Sequence, residues 1–434
     1  MSHKIITCAG YGNTGSSVVT NIFQEIPDVL VVGGSEFEFM LLHEVDGIID
    51  LYKAVTEGNR LKSDAAIKRF IQLVRKLNFC NPSGVNYSTF FNNTFLSYTI
   101  EYLKSLNIIG WEGWWHRIFD FSNNDFLINN YRRLKFNKYT KNQSYSLYEQ
   151  DSWRPCFSPT SKMYYCGISK ELFVSQTKKY LEKLFNECDK ENKFEYIYFD
   201  QLVPANCDET YLQFFDNIKV IVIDRDPRDL YFANQVFWGS KYFPTDDVKK
   251  YVEWFKNTRS FKISNESIIY FNFEDFIFKY ENSLNRVLKF VNICEKSHVN
   301  KKTVFIPEKS EKNTRLWEKY IISDRSIYDG VNYIYDELKE FCFDYLQTSP
   351  IKTVQISISK PFFEIDRIIK EKKAGCLTLL FFSSFDDIKC MKKKLIVKIV
   401  FFPFLFFSRL IINSMKYILN NIYSKKNKYY DYNI

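Results

Sequence analysis

Eight residues close to the start of the chain, GYGNTGSS from Gly10 to Ser17, carry the spacing of a phosphate-binding loop. The pattern G-x-x-x-x-G-K-[ST] uses backbone N–H groups to cradle phosphates and its lysine to reach the outer ones. Here Gly10, Gly15 and the hydroxyl of Ser17 stand at the right positions, but Ser16 replaces the lysine. The loop is a cradle without its cation. Thr14, Ser16 and Ser17 add hydroxyl donors, and the helix start that follows brings exposed N–H groups and a positive dipole end. Taken alone, the stretch is equally a glycine turn with a serine cap.

A second stretch, VIVIDRDPRDLYFANQ from Val220 to Gln235, changes that balance. It sets Arg225 and Arg228 directly after an apolar run, at the end of a buried parallel strand, where open α/β sheets bind ligands. A guanidinium grips phosphate through two parallel N–H donors, so arginines placed there suit a phosphorylated ligand. A surface arginine–aspartate network is the competing account. Carboxylates able to take a proton from a hydroxyl follow another apolar run, Glu36 and Glu38 in GGSEFEFMLLHEVDG, with His43 and His116 in reserve.

These residues need strands and helix starts to hold them. KIITCA (Lys4 to Ala9) reads as a short strand, and SSVVTNIFQEI has apolar positions at helical spacing. VLVVGG (Val29 to Gly34), EYIYFD (Glu195 to Asp200), IKVIVIDRD (Ile218 to Asp226) and SIIYFNFED (Ser267 to Asp275) are further strand candidates. The third of these four is continuously apolar, as in a sheet buried on both faces. A helical stretch with loops spans roughly 45–135. Strands alternating with helices predict an α/β fold, a P-loop-like three-layer sandwich around a central parallel sheet, with a C-terminal helical tail.

Together the two stretches resemble the sulfotransferases that use 3′-phosphoadenosine 5′-phosphosulfate (PAPS). The opening loop is similar to that family's 5′-phosphosulfate loop, in the T-G-S-S form of carbohydrate sulfotransferases, and RDPRD is similar to its 3′-phosphate motif. FNFEDF and the helix through Leu288 resemble the family's strand–E-D–helix segment, and KSEKNTRLWEKY (Lys309 to Tyr320) its late basic loop. The pieces keep family order over roughly residues 4–320. The resemblance implies donor contacts from Gly12, Asn13, Thr14, Gly15, Ser16 and Ser17, from Arg225 on the 3′-phosphate, and from Arg228. It also implies sulfuryl transfer without Mg²⁺, so neither a lysine in the loop nor a metal-binding aspartate is required.

Two departures from the family pattern matter. Asn13 stands where the family has Lys or Arg, and Lys312 or Arg315 of the late loop is the expected replacement cation. Ala233 stands where the family often has Ser, leaving Asn234 or Gln235 as the substitute phosphate donor. By resemblance Glu36 is the first choice of base and Glu38 the second. The reading is sulfuryl transfer to a hydroxyl of a glycan or glycolipid. A P-loop kinase and a non-catalytic, membrane-tethered nucleotide binder are the alternatives. GWEGWWHR (Gly110 to Arg117) is a helix–helix contact or a sugar-stacking wall, and the stretch from Tyr139 to Pro159 an acceptor-facing lid or a plain surface excursion.

Composition bounds the rest. The 434 residues are 46% hydrophobic with 42 Phe and 30 Tyr, enough for a full core and unlike a disordered or fibrous chain. The ten cysteines include no C-x-x-C pair and none clusters with the four histidines, which argues against zinc and for reduced thiols in a cytosolic protein. The strand from Lys4 leaves no apolar leader ahead of it. Residues 389–434 hold ten basic residues against one acidic, a net charge equal to the +9 of the whole chain. The body is therefore neutral, and nucleic acid is not the expected partner. In the tail, Lys398, Arg409, Asn413, Lys416 and Asn420 fall on one helical stripe among Phe, Leu and Ile, the pattern of a helix lying on an anionic membrane surface. The expected organisation is a sulfotransferase domain over 1–350, a linker over 351–388 and a basic, membrane-associating tail over 389–434, at the cytoplasmic face.

Overall fold

The computed structural model describes residues 3–34, 37–79, 86–113, 161–238, 242–345 and 353–355. Glu36, His116, the Tyr139–Pro159 stretch and the basic tail lie outside the described residues, as does nearly all of the linker.

A five-stranded parallel sheet organises the chain. Its strands are β1 (Lys4–Gly10), β2 (Val29–Val31), β5 (Tyr196–Asp200), β6 (Ile218–Asp224) and β7 (Ile268–Asn272), in the order β2-β5-β1-β6-β7. A separate antiparallel pair, β3 (Ile109–Gly113) with β4 (Ser161–Tyr165), takes the place of a helix at Ile109 to Gly113. β1 is central, pairing Thr7 with Phe199 on one side and with Val220 on the other.

Alternation along the strands divides the core. Ile5, Ala9, Ile197, Phe199, Val220 and Val222 face one layer, which includes α2 (Ile48–Thr56), α3 (Arg60–Phe79), α4 (Phe95–Ser105) and α5 (Lys170–Cys188). Ile6, Cys8, Tyr198, Ile221 and Ile223 face the other, covered by α1 (Ser17–Phe23) and, further along the chain, α9 (Tyr280–Val291). Burial on both faces is why the middles of these strands are runs of mostly apolar residues rather than a polar–apolar alternation. A third cluster joins α6 (Pro227–Ala233), α7 (Val248–Arg259) and α10 (Arg325–Glu337) through Tyr231, Phe232, Tyr251, Phe255, Ile327 and Ile334.

This topology fixes where a ligand can sit. The chain leaves β1 toward β2 on one side and leaves β6 toward β7 on the other, so the strand order reverses between β1 and β6. Open α/β sheets bind ligands outside the carboxyl ends of the strands at such a point. Here those ends carry the Gly10–Ser17 loop and Arg225. No helix among the described residues is long and apolar enough to cross a membrane.

Candidate functional site

The loop after β1 is built from left-handed backbone. Gly12 (φ 87°), Asn13 (φ 54°) and Gly15 (φ 83°) adopt conformations that side chains with a Cβ resist, and asparagine tolerates them better than most. Packing adds a second constraint at Gly15, where a Cβ would lie 2.5 Å from Cδ2 of Phe273. Among the described residues, the backbone N–H groups of residues 12–16 have no hydrogen-bond acceptor. Thr14 is 1% exposed and its hydroxyl has no partner. Buried donors without partners are costly, so a cradle of this kind is organised to receive an acceptor from outside the chain.

Arg225 follows β6 directly and closes the cradle from the side. Its Nη1 donates to the carbonyl of Asn13 at 3.3 Å and its Nη2 to the carbonyl of Asn313. Its Nε is buried and unpartnered, and the guanidinium lies 5.5 Å from the centre of the Phe273 ring. One arginine thus touches the phosphate loop, the late basic loop and the helix α8 (Phe273–Phe278) that begins FEDF.

The neighbouring acids brace this arrangement. Asp226 caps α6 and receives Arg228 through two bonds of 3.0 and 2.6 Å, while Arg228 also donates to Phe343 O and lies over the Trp317 ring at 4.3 Å. Asp229 is fully buried and accepts the N–H groups of Arg315 (2.9 Å) and Leu316 (2.7 Å), pinning the late loop to α6. Burial pushes its carboxyl up, with the charge of Arg225 acting in the opposite direction. Glu274 is also fully buried, accepts the N–H of Asp226 at 3.1 Å, and is pushed well up by burial and then by the charges of Asp226 and Asp229.

The remaining sequence-selected residues divide. Arg315 is ion-paired with Glu318 at 2.5 Å, the Asn234 amide donates to Leu230 O at 2.9 Å, and Gln235 donates to Thr245 O. Lys312 is exposed in the late loop, one residue from Asn313. Ser16 leaves the helix cap unmade and accepts instead from the Gln201 amide at 3.1 Å.

Glu38 is held by its neighbours. Phe37 and Phe39 are buried among Tyr87, Phe91 and Phe199, and alternation turns Glu38 to the opposite side. Burying each phenylalanine contributes roughly 1.5–3 kcal/mol, so the register of this short segment is firmly set. Glu38 bridges in parallel register with Asp200, the last residue of β5, and Phe39 N–H donates to Asp200 O at 2.9 Å. The Glu38 side chain opens to solvent, although the protein around it still pushes its carboxyl up. Asp200 is 5% exposed, and burial followed by the Glu38 charge raises it to about 7. His43 reaches the carbonyl of Gln201 at 2.7 Å, and burial lowers its pKa. Asp200 and Gln201 were not selected from the sequence. The available signal was an aspartate ending the apolar run YIYFD, but it acquires meaning only when β5 lies beside β1.

Among the described residues, no group of three or more metal-ligating side chains occurs. No protein-family model and no curated protein matches the chain. Among solved structures, it is similar to a sulfotransferase domain from the Synechococcus PCC 7002 olefin synthase, at 10% identity and a TM-score of 0.32 over 79% of this chain and 94% of that one. It is similar to the sulfotransferase STF9 from Mycobacterium avium at 12% identity and 0.30, over 82% and 79%. A third likeness, to STF1 from Mycobacterium tuberculosis H37Rv, has 8% identity and 0.28, over 73% and 77%. All three are distant likenesses.

Proposed function

We propose that the protein transfers a sulfuryl group from PAPS to a hydroxyl of a glycan or glycolipid. The observation that carries this reading is the position of Arg225, at the meeting point of the lysine-free phosphate loop and the late basic loop. A donor with one phosphate and one sulfate at its 5′ end needs N–H groups and hydroxyls there, which residues 12–16 and Thr14 offer. Its 3′-phosphate needs a buried guanidinium with a free donor, which Arg225 Nε offers. Lys312 is the exposed cation nearest in sequence to this junction and is assigned the charge that Asn13 lacks. Arg228 serves by fixing Asp226 rather than by direct contact.

In the transfer, the acceptor hydroxyl oxygen bonds to sulfur while the bond from sulfur to the bridging oxygen breaks. The electron pair leaves with 3′-phosphoadenosine 5′-phosphate, and the hydroxyl proton goes to a carboxylate of the Glu36–Glu38 segment. Residues 389–434 would hold the enzyme against anionic lipid, close to a glycolipid acceptor. The test is a binding comparison of PAPS, its desulfated product and ATP with Mg²⁺, followed by turnover on a panel of glycans. Preference for the first two with sulfated product supports the reading; tighter binding of ATP with Mg²⁺ overturns it.

One observation favours phosphoryl transfer as the second reading. Asp200 ends the strand beside β1, where P-loop NTPases keep the aspartate that helps hold Mg²⁺. The absent lysine weighs against it.

A further inference from the structure

The residues that receive the acceptor's proton are open to closer definition, and the sheet edge beside the phosphate loop supplies two. We propose that Glu38 and Asp200 form a proton-sharing carboxylate pair, in which Glu38 accepts the hydroxyl proton and Asp200 is the positioning residue that sets its basicity. This rests on the sulfuryl-transfer reading and deepens it.

The geometry comes from strand register. Glu38 and Asp200 are bridge partners, so their side chains leave the same face of the sheet from backbones about 4.8 Å apart. The row continues to Cys8 of β1, on the face covered by α1. Ser16 stands at the cap position of α1, and Gln201, the residue after Asp200, donates its amide to that serine. The pair therefore sits at the mouth of the phosphate loop rather than on a remote surface. Only Glu38 is open to solvent. Asp200 Oδ1 is buried and has no hydrogen-bond partner.

A buried carboxyl next to a second carboxylate keeps its proton into the neutral range, because like charges in one site cannot both ionise cheaply. Hydrogen bonding from Thr20 and Gln201 acts in the opposite direction, and burial together with the Glu38 charge outweighs it. Cys8 and Tyr198 are buried with raised pKa values, Thr20 of α1 is uncharged, and His43, which reaches the carbonyl of the next residue, Gln201, is held toward its neutral form by burial. The pair thus carries one proton and one negative charge below the upper ionisation. The exposed member holds the charge and is free to accept the hydroxyl proton as the oxygen–sulfur bond forms.

The test uses the full chain. In ligand-free protein, infrared titration with ¹³C-labelled aspartate should reveal, besides the raised carboxyl of buried Asp229, a second carboxylic acid that ionises near neutrality. It should vanish in Asp200→Asn and move to lower pH in Glu38→Gln, which removes the neighbouring charge while leaving Asp200 in place. Turnover should fall roughly 10²-fold or more in Glu38→Gln with donor affinity unchanged. Asp200→Asn should erase the neutral step from the pH–rate profile. The pair is overturned if Asp200 ionises with ordinary aspartates, if Glu38→Gln leaves its titration in place, or if Glu36→Gln alone carries the loss of turnover. It is also overturned if millimolar Mg²⁺ drives the Asp200 proton off, since Asp200 is then a cation ligand. Intact titration behaviour with no sulfated product on any acceptor would instead reject sulfuryl transfer and leave the pair standing.

Discussion

The guanidinium of Arg225 donates to the backbone carbonyl of Asn313, 88 residues further along the chain. The same guanidinium donates to Asn13 O, so one side chain ties the loop after β1 to the loop before α10. Both contacts go to backbone, which means that they depend on loop shape rather than on the identities of the residues contacted. A ligand phosphate arriving here meets an arginine whose orientation is already set.

Replacing Arg225 with alanine should weaken binding of 3′-phosphoadenosine 5′-phosphate by about 1.5–3 kcal/mol, the range for a hydrogen bond to a charged group. Adenosine 5′-phosphosulfate, which lacks the 3′-phosphate, should lose much less. Calorimetric titration of both ligands separates recognition from bracing: equal losses would make Arg225 a structural clasp only.

Gly15→Ala should destabilise the fold and abolish donor binding. Left-handed backbone costs a residue with Cβ roughly 1–2 kcal/mol, and the clash with Phe273 adds about 1–3 kcal/mol. Gly58 provides the control, because its φ is +70° but nothing lies within 4 Å of an added Cβ. Urea midpoints should show Gly58→Ala losing only the backbone part.

The pH dependence of stability should carry the mark of Asp200. Its folded pKa of about 7 lies above its ordinary value of 3.8, so the folded chain keeps a proton that the unfolded chain has released. Between those two values the unfolded state binds fewer protons, and stability falls as pH rises. At about 1.4 kcal/mol per unit, this contribution declines by on the order of 4 kcal/mol across the window. Urea denaturation from pH 4 to 8 should show Asp200→Asn losing this slope, while other titrating groups keep theirs. An unchanged slope would mean that Asp200 ionises normally.

Truncation after Asp387 should leave donor affinity intact and remove binding to anionic vesicles. The full chain should sediment with vesicles rich in phosphatidylserine and be released by salt, since lysine contacts with headgroups are screened within a Debye length. Co-sedimentation that ignores salt and lipid charge would overturn a peripheral, electrostatic attachment.

Much of the fold was legible because its signals are local. A strand buried on both faces must be apolar through its buried part, and Val220–Ile223 within β6 announces itself that way. Glycines in left-handed backbone leave their mark in type and spacing, which is why the loop from Gly10 to Ser17 was readable. β3 was missed within a stretch expected to be helical, and its partner β4 was not foreseen, because two short strands joined across nearly fifty residues leave no local pattern.

The site divides along the same physical line. By itself the sequence determined a phosphate cradle without a lysine, arginines at a strand end, and carboxylates in the segment from Glu36 to Glu38. Only the tertiary structure decided which arginine faces the cradle. Arg225 leaves the chain between the end of β6 and the start of α6 and reaches the loops, whereas Arg228, inside the first turn of α6, turns back to Asp226 and Trp317. Only tertiary structure, too, could bring Asp200 beside Glu38. Their pairing depends on β5 inserting between β2 and β1, a long-range choice of strand order governed by burial of both sheet faces, which no window of sequence contains.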